Sequence, residues 1–337
     1  MARSLPVGIL LTLLAGLMSG NCMLPLKFNR GWKWENTWLV FTIISLIILP
    51  WALALGLVSH LFETYRALSL PQIAVPFLFG AGWGIAQVLF GISVVRLGLG
   101  LAYAIIIGLG TLLGTLVPLF VQHRSQVGPE ALFEILAGVA VMIVGIILST
   151  FGGQIRERID RNHAKSIPVN GYSTAVLLAI ICGVMAPMLN FSFAFGQDIA
   201  HQAVLFGNTE LDAGYSVWPI GLAGGFLPNI AYSLYLLRKN QSWSMFKSAS
   251  TDSFLPMLMG VLWTGAFALY GMSATYLGSL GTSIGWGLFQ IFMIMTATLS
   301  GILTGEWKNA PRTSRLLLAS GFSCLIGATV LLAMGNH

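Results

Sequence analysis

Residues 76–98 read PFLFGAGWGIAQVLFGISVVRLG and residues 256–278 read PMLMGVLWTGAFALYGMSATYLG, an ungapped match in which ten of twenty-three residues are identical. Pro76/Pro256, Gly80/Gly260, Trp83/Trp263, Gly91/Gly271 and Leu97-Gly98/Leu277-Gly278 carry it. Each copy is apolar over the roughly 20 residues that a helix needs to cross a bilayer. A membrane segment present twice marks an internally duplicated chain, an arrangement frequent among carriers. A shorter correspondence, Gly16-Leu17-Met18 with Gly183-Val184-Met185, lies at an offset of 167 rather than 180, so thirteen extra residues precede the second long copy.

The rest of the chain has the same character. Of 337 residues, 56% are hydrophobic and 8% charged, against about 25% charged in soluble domains. Apolar spans are read at about 6–27, 36–57, 74–96, 98–121, 131–151, 172–195, 214–237, 254–276, 279–303 and 315–334. No strand-like alternation runs through them, so helices must satisfy the backbone within lipid. The expected fold is an all-α integral membrane bundle of ten transmembrane helices. The first span lacks a small-residue cleavage pattern and is predicted to stay in the chain.

Fourteen of the seventeen Lys and Arg residues fall in connections after odd-numbered spans, while Arg3, Arg66 and Arg124 fall on the other side. The positive-inside rule places the basic face in the cytoplasm and both termini outside, as expected for a bacterial inner membrane protein. The net charge of +6 follows from this topology and calls for a lipid bilayer, not a nucleic acid, as partner. Five spans per half is an odd number, so the second half enters the membrane inverted. The predicted organisation is a first five-helix repeat over 1–151, a cytoplasmic linker over 152–171 (GGQIRERIDRNHAKSIPVNG) and a second five-helix repeat over 172–337. Inverted repeats can exchange conformations about a central site, the basis of alternating access. The acidic stretch 196–213, with Asp198, His201, Glu210 and Asp212, is expected as a solvated external connection. A collecting vestibule is the second reading of it.

Substrate contacts should be polar or aromatic residues deep in the spans. Trp83 and Gln87 are four apart, on one helical face, and Trp286 and Gln290 repeat that spacing. Trp263 is the repeat counterpart of Trp83. Indole faces can stack on the C–H face of a sugar while amides bond its hydroxyls, so Trp83, Gln87, Trp263, Trp286 and Gln290 are candidate contacts, joined by Asn21, Asn190 and Asn229. Pro187 near Asn190, and Pro228 beside Asn229, are candidate sites of opened backbone. Gly80/Gly84, Gly110/Gly114 and Gly281/Gly285 are small-xxx-small pairs expected to pack helices closely. No Asp, Glu or His sits at a span centre; Glu134, about a turn inside the fifth span, is the candidate proton-coupling group. Cys22, Cys182 and Cys324 show neither CxxC nor ligand spacing, so no metal and no cofactor are expected. The spans hold no convergent acids, bases or nucleophile, which argues against an enzyme.

Trp32-Lys33-Trp34-Glu35-Asn36-Thr37-Trp38, Ile48-Leu49-Pro50-Trp51, Phe77-Leu78-Phe79-Gly80-Ala81-Gly82-Trp83-Gly84-Ile85, Gly114-Thr115-Leu116 and Glu306-Trp307-Lys308-Asn309-Ala310 resemble the L-rhamnose-proton symporter family of the drug/metabolite transporter superfamily. The resemblance implies ten helices in two inverted halves and uptake of L-rhamnose or a related small sugar with protons. A facilitator or exporter of another small metabolite is the alternative, and a membrane-embedded enzyme a distant one.

Overall fold

The computed structural model describes residues 4–97, 99–160, 172–247 and 251–336. Arg3, Gly98, Arg161, Lys165 and the linker stretch 161–171 lie outside the described residues. The main helices are α1 (Leu5–Asn21), α2 (Trp34–Leu57), α3 (Leu70–Leu97), α4 (Leu99–Pro118), α5 (Pro129–Asp160), α6 (Tyr172–Met185), α7 (Val217–Lys239), α8 (Phe254–Leu277), α9 (Gly281–Leu303) and α10 (Arg312–Met334). No strand occurs among the described residues. Nine apolar helical stretches there are long enough to cross a membrane, and one of them, Phe254–Leu303, runs for 50 residues. At about 1.5 Å per residue it would be twice too long for one crossing. It divides at Gly278–Leu280, where Gly278 has φ +81°, a conformation open to glycine and strained for other residues.

Proline accounts for the other irregularities. Pro50 withholds the N–H that the Leu46 carbonyl would use, and the backbone widens into a π-helical turn at Ile44–Ile48. Pro187 follows the end of α6 and starts the short helix Met188–Ala194. Pro228, by contrast, leaves α7 continuous through Asn229. The stretch expected as a solvated connection forms two short helices, Gln197–Leu205 and Glu210–Gly214. The first is amphipathic and buries Ile199, Ala200 and Ala203; the second is capped by Thr209, whose hydroxyl accepts from the Asp212 N–H at 3.1 Å.

Packing follows the distribution of small residues. Gly138, Gly145 and Gly152 recur every seven residues on α5 and seat α10 at Leu332, Leu325 and Ser314. A Cβ on Gly80 would lie 1.8 Å from the Gly221 carbonyl oxygen and one on Gly224 2.0 Å from that of Phe77, so α3 and α7 touch backbone to backbone. Further pairings are α1 with α8 and α9, α6 with α3 and α4, α2 with α7 and α8, and α4 with α9. Aromatic side chains fill the centre, while Ile135, Met142, Leu325 and Leu332 fill the α5/α10 flank. Leu78, Phe133 and Leu303 project outward, 64%, 73% and 78% exposed, where lipid would cover them.

Candidate functional site

A cavity of about 570 Å³ penetrates the bundle from the face that carries the connections after α1, α3, α5, α7 and α9. Its inner end is aromatic. Trp83 stacks on Trp263 with ring centroids 5.5 Å apart, so the two repeat-matched indoles form one wall. Trp286, Phe267 and Phe289 close the end, the Trp286 N–H donating to the Gly110 carbonyl at 3.2 Å. Gly114 makes room for that indole, since a Cβ there would fall 2.2 Å from its Nε1. Gly114 thus seats a side chain, while Gly110 packs beside the end of α6 at Ala186.

The amides separate into two groups. Gln87 and Gln290 line the cavity, and among the described residues no protein group bonds to either side chain. Asn21, Asn190 and Asn229 lie outside the lining, each already bonded. Asn21 donates to the Leu17 carbonyl at 2.8 Å. Asn229 donates to Gly225 at 2.9 Å and accepts from the Trp38 indole at 3.0 Å, tying α7 to α2. Asn190 donates to the carbonyls of Gly114 and Thr282, both at 2.9 Å, and accepts from the Tyr270 hydroxyl. The Gly114 carbonyl is available because Pro118, four residues on, has no N–H to offer it.

The mouth is the charged part. Glu306 accepts from Lys27 and, at 3.1 Å, from Arg156 Nη1, while the Arg156 guanidinium lies 4.9 Å over the Trp307 ring. The Lys27 hydrogen bond, with help from Arg156, holds the Glu306 carboxyl below the usual carboxylate range against the opposing effect of partial burial. Glu306 is the one carboxylate among the described lining residues. Glu134 does not reach the cavity: it lies 22 residues, about 33 Å of helix, from Arg156 at the opposite end of α5. Beside the mouth, Asp252 accepts backbone N–H bonds from Arg30, Gly31 and Trp32, and Glu35 accepts from Asn240 and Ser242. The tryptophan-rich segment after α1 is thereby fastened to the α7–α8 connection. A wall of aromatic rings, two unbonded amides and a volume within the range of ligand sites fit a small, uncharged, amphipathic solute.

The family profile described as L-rhamnose-proton symport protein matches residues 1–336. Similar curated proteins are the L-rhamnose-proton symporters of Cronobacter sakazakii, 27% identical over 344 positions, and of Escherichia coli and Citrobacter koseri, each 26% identical. Each alignment covers 99% of both chains.

Proposed function

The chain belongs to the L-rhamnose-proton symport protein family, and from that premise we propose that it takes up L-rhamnose or a closely related small sugar with protons by alternating access between two inverted five-helix repeats. It is a secondary transporter, not an enzyme. The observation that carries the substrate reading is the inner end of the cavity, where Trp83, Trp263 and Trp286 offer ring faces and Gln87 and Gln290 offer unbonded amides. A deoxy-sugar has a matching pair of surfaces, one of C–H groups and one of hydroxyls.

The ten-helix, inverted reading takes its support from the division of Phe254–Leu303 and from the pairing pattern. Exchanging each helix of residues 1–151 for its counterpart in 172–337 turns α1/α8 into α6/α3, α1/α9 into α6/α4 and α3/α7 into α8/α2, while α5/α10, α2/α7 and α4/α9 map onto themselves. All of these pairs occur. The cavity opens on the Lys/Arg-rich face, which the positive-inside rule assigns to the cytoplasm. On this reading the conformation is inward-open, the linker 152–171 is cytoplasmic, and both termini face the periplasm across the inner membrane. Glu306, rather than Glu134, is positioned to couple protons, because it alone among the described lining carboxylates meets the transport path.

Purified protein in proteoliposomes should accumulate labelled L-rhamnose under an acid-outside pH gradient. Equilibration without accumulation would indicate a facilitator, and absence of movement would remove L-rhamnose as substrate. Gln87→Ala and Gln290→Ala should each raise the half-saturation concentration about 2- to 10-fold, the worth of one hydrogen bond to an uncharged ligand. Their thermal midpoints in detergent should stay at the parental value, since neither amide bonds the protein. A drop in midpoint would make them packing residues instead.

A further inference from the structure

Two buried residues that the inward-open site does not use are its internal copies. Under the 167 and 180 offsets, Met23 corresponds to Asn190 and Phe90 to Tyr270. Met23 and Phe90 line the open cavity, whereas Asn190 and Tyr270 are fully buried beyond its inner end and bonded to each other. Cys22 and Leu189 repeat the relation, the first lining the cavity and the second buried. Nearer the centre both members of a pair line the cavity: Trp83 with Trp263, Gln87 with Phe267 and Ser19 with Ala186. For Cys22/Leu189, Met23/Asn190 and Phe90/Tyr270, exposure of one member goes with burial of the other, as an exchange of repeat conformations requires.

We propose that Asn190 and Tyr270 are the outer half of the sugar site: closed against each other in this state, they become cavity-lining when the repeats exchange and then bind hydroxyls of the incoming sugar. The inference rests on the alternating-access reading given above. Its chemistry follows from what the exchange would uncover. Asn190 now spends both amide hydrogens on carbonyls and its oxygen on a phenol. Separation would free an amide, a phenolic hydroxyl and the Gly114 carbonyl, which Pro118 leaves without a helical partner. That is a donor and acceptor set suited to a polyol. It also changes the site's polarity between states: where the inner half exposes Met23 and Phe90, the outer half would expose Asn190 and Tyr270.

The test uses the full-length chain with Cys22, Cys182 and Cys324 replaced by alanine and Leu189→Cys as reporter. A membrane-impermeant thiol reagent applied to intact cells, without sugar, should label the reporter from outside. Adding Tyr270→Phe should speed labelling about fivefold, because one buried hydrogen bond of the closed state is lost. If cells that still transport are never labelled from outside, or only inverted vesicles react, the proposal is overturned whatever the substrate. The second measurement, in the otherwise parental chain, is the half-saturation for L-rhamnose entry in Asn190→Ala. A residue that only holds the outer side shut would lower it when removed, whereas a residue that also binds sugar should raise it severalfold. A lowered value would overturn the assignment of Asn190 to the site. Loss of rhamnose transport in the parental chain would instead count against the substrate, and the labelling result would stand apart from it.

Discussion

Glu306→Gln should abolish gradient-driven accumulation and leave counterflow exchange of labelled sugar intact. Glutamine keeps the size of the side chain and can still accept from Arg156, so the mouth retains its shape, but it has no proton to carry. For one proton per sugar, each unit of pH gradient supports about a tenfold concentration ratio; the variant's ratio should fall to one. The sign of the coupling follows from the ion pairs. In this state Lys27 and Arg156 lower the Glu306 pKa. Its stabilising charge is therefore present above the ordinary carboxylate range and is lost as pH falls through the lowered value. On the proposed reading, the inward-open state binds this proton weakly, which is what delivery into the compartment it faces requires, and protonation favours whichever state separates the three groups. Glu306→Asp should retain coupling. Lys27→Met, which removes the partner that lowers the carboxyl most, should move the pH dependence of uptake upward. Undiminished accumulation in Glu306→Gln would restrict Glu306 to holding the rim together.

The helices were legible from sequence because bilayer thickness imposes a length and a hydropathy that α3 and α10 meet without ambiguity. Breaks within them were less so: the first span, expected to residue 27, stops at Asn21 and continues as a 3₁₀ turn at Leu24–Phe28. The helices at Gln197–Leu205 and Glu210–Gly214 were hidden by their charge, although the spacing of Ile199, Ala200 and Ala203 and the Thr209/Asp212 cap are helical signals. Among the amides, residue type at mid-span could not separate lining from packing, since both need a polar side chain facing inward. Distance to an orphan carbonyl decides it: Pro118, four residues after Gly114, is the sequence signal that some donor must fill that acceptor, and Asn190 fills it. Glu306 escaped for a different reason. It lies outside the spans, where a carboxylate reads as a loop charge, and it joins the path only because the ends of α1, α5 and α9 meet at one mouth.

Gly80→Ala should eliminate transport, whereas Gly91→Ala, on the same helix and equally matched between repeats, should leave it at the parental rate. The added methyl at position 80 would sit 1.8 Å from the Gly221 carbonyl oxygen and 2.7 Å from its carbon, backbone atoms that no rotamer change can move aside. Helices α3 and α7 would have to part along the run that also brings Gly84 onto Gly225 and Gly224 onto Phe77. Overpacking typically costs about 1–3 kcal/mol and more where the neighbour cannot yield, against the roughly 5–15 kcal/mol that holds a folded protein together. At Gly91 nothing lies within 4 Å of the new methyl. The repeat counterpart of Gly80 discriminates further: at Gly260 the nearest atom is Ile44 Cγ2 at 2.8 Å, a side chain beside the π-helical turn that can rotate away. The order of damage should therefore be Gly80, then Gly260, then Gly91, read as uptake rate and as thermal midpoint of the purified proteins. The asymmetry has a mechanical origin. On the proposed alternating-access reading, the α3/α7 contact closes the outer side in this state, and its repeat equivalent, α8/α2, lies more loosely packed beside the open inner side. The proposed exchange of repeats requires the tight and the loose contact to trade places, so a methyl that forbids the tight form at Gly80 should remove the proposed inward-open state itself. Parental uptake and an unshifted midpoint in Gly80→Ala would mean that the backbone contact between α3 and α7 does not bear on the cycle.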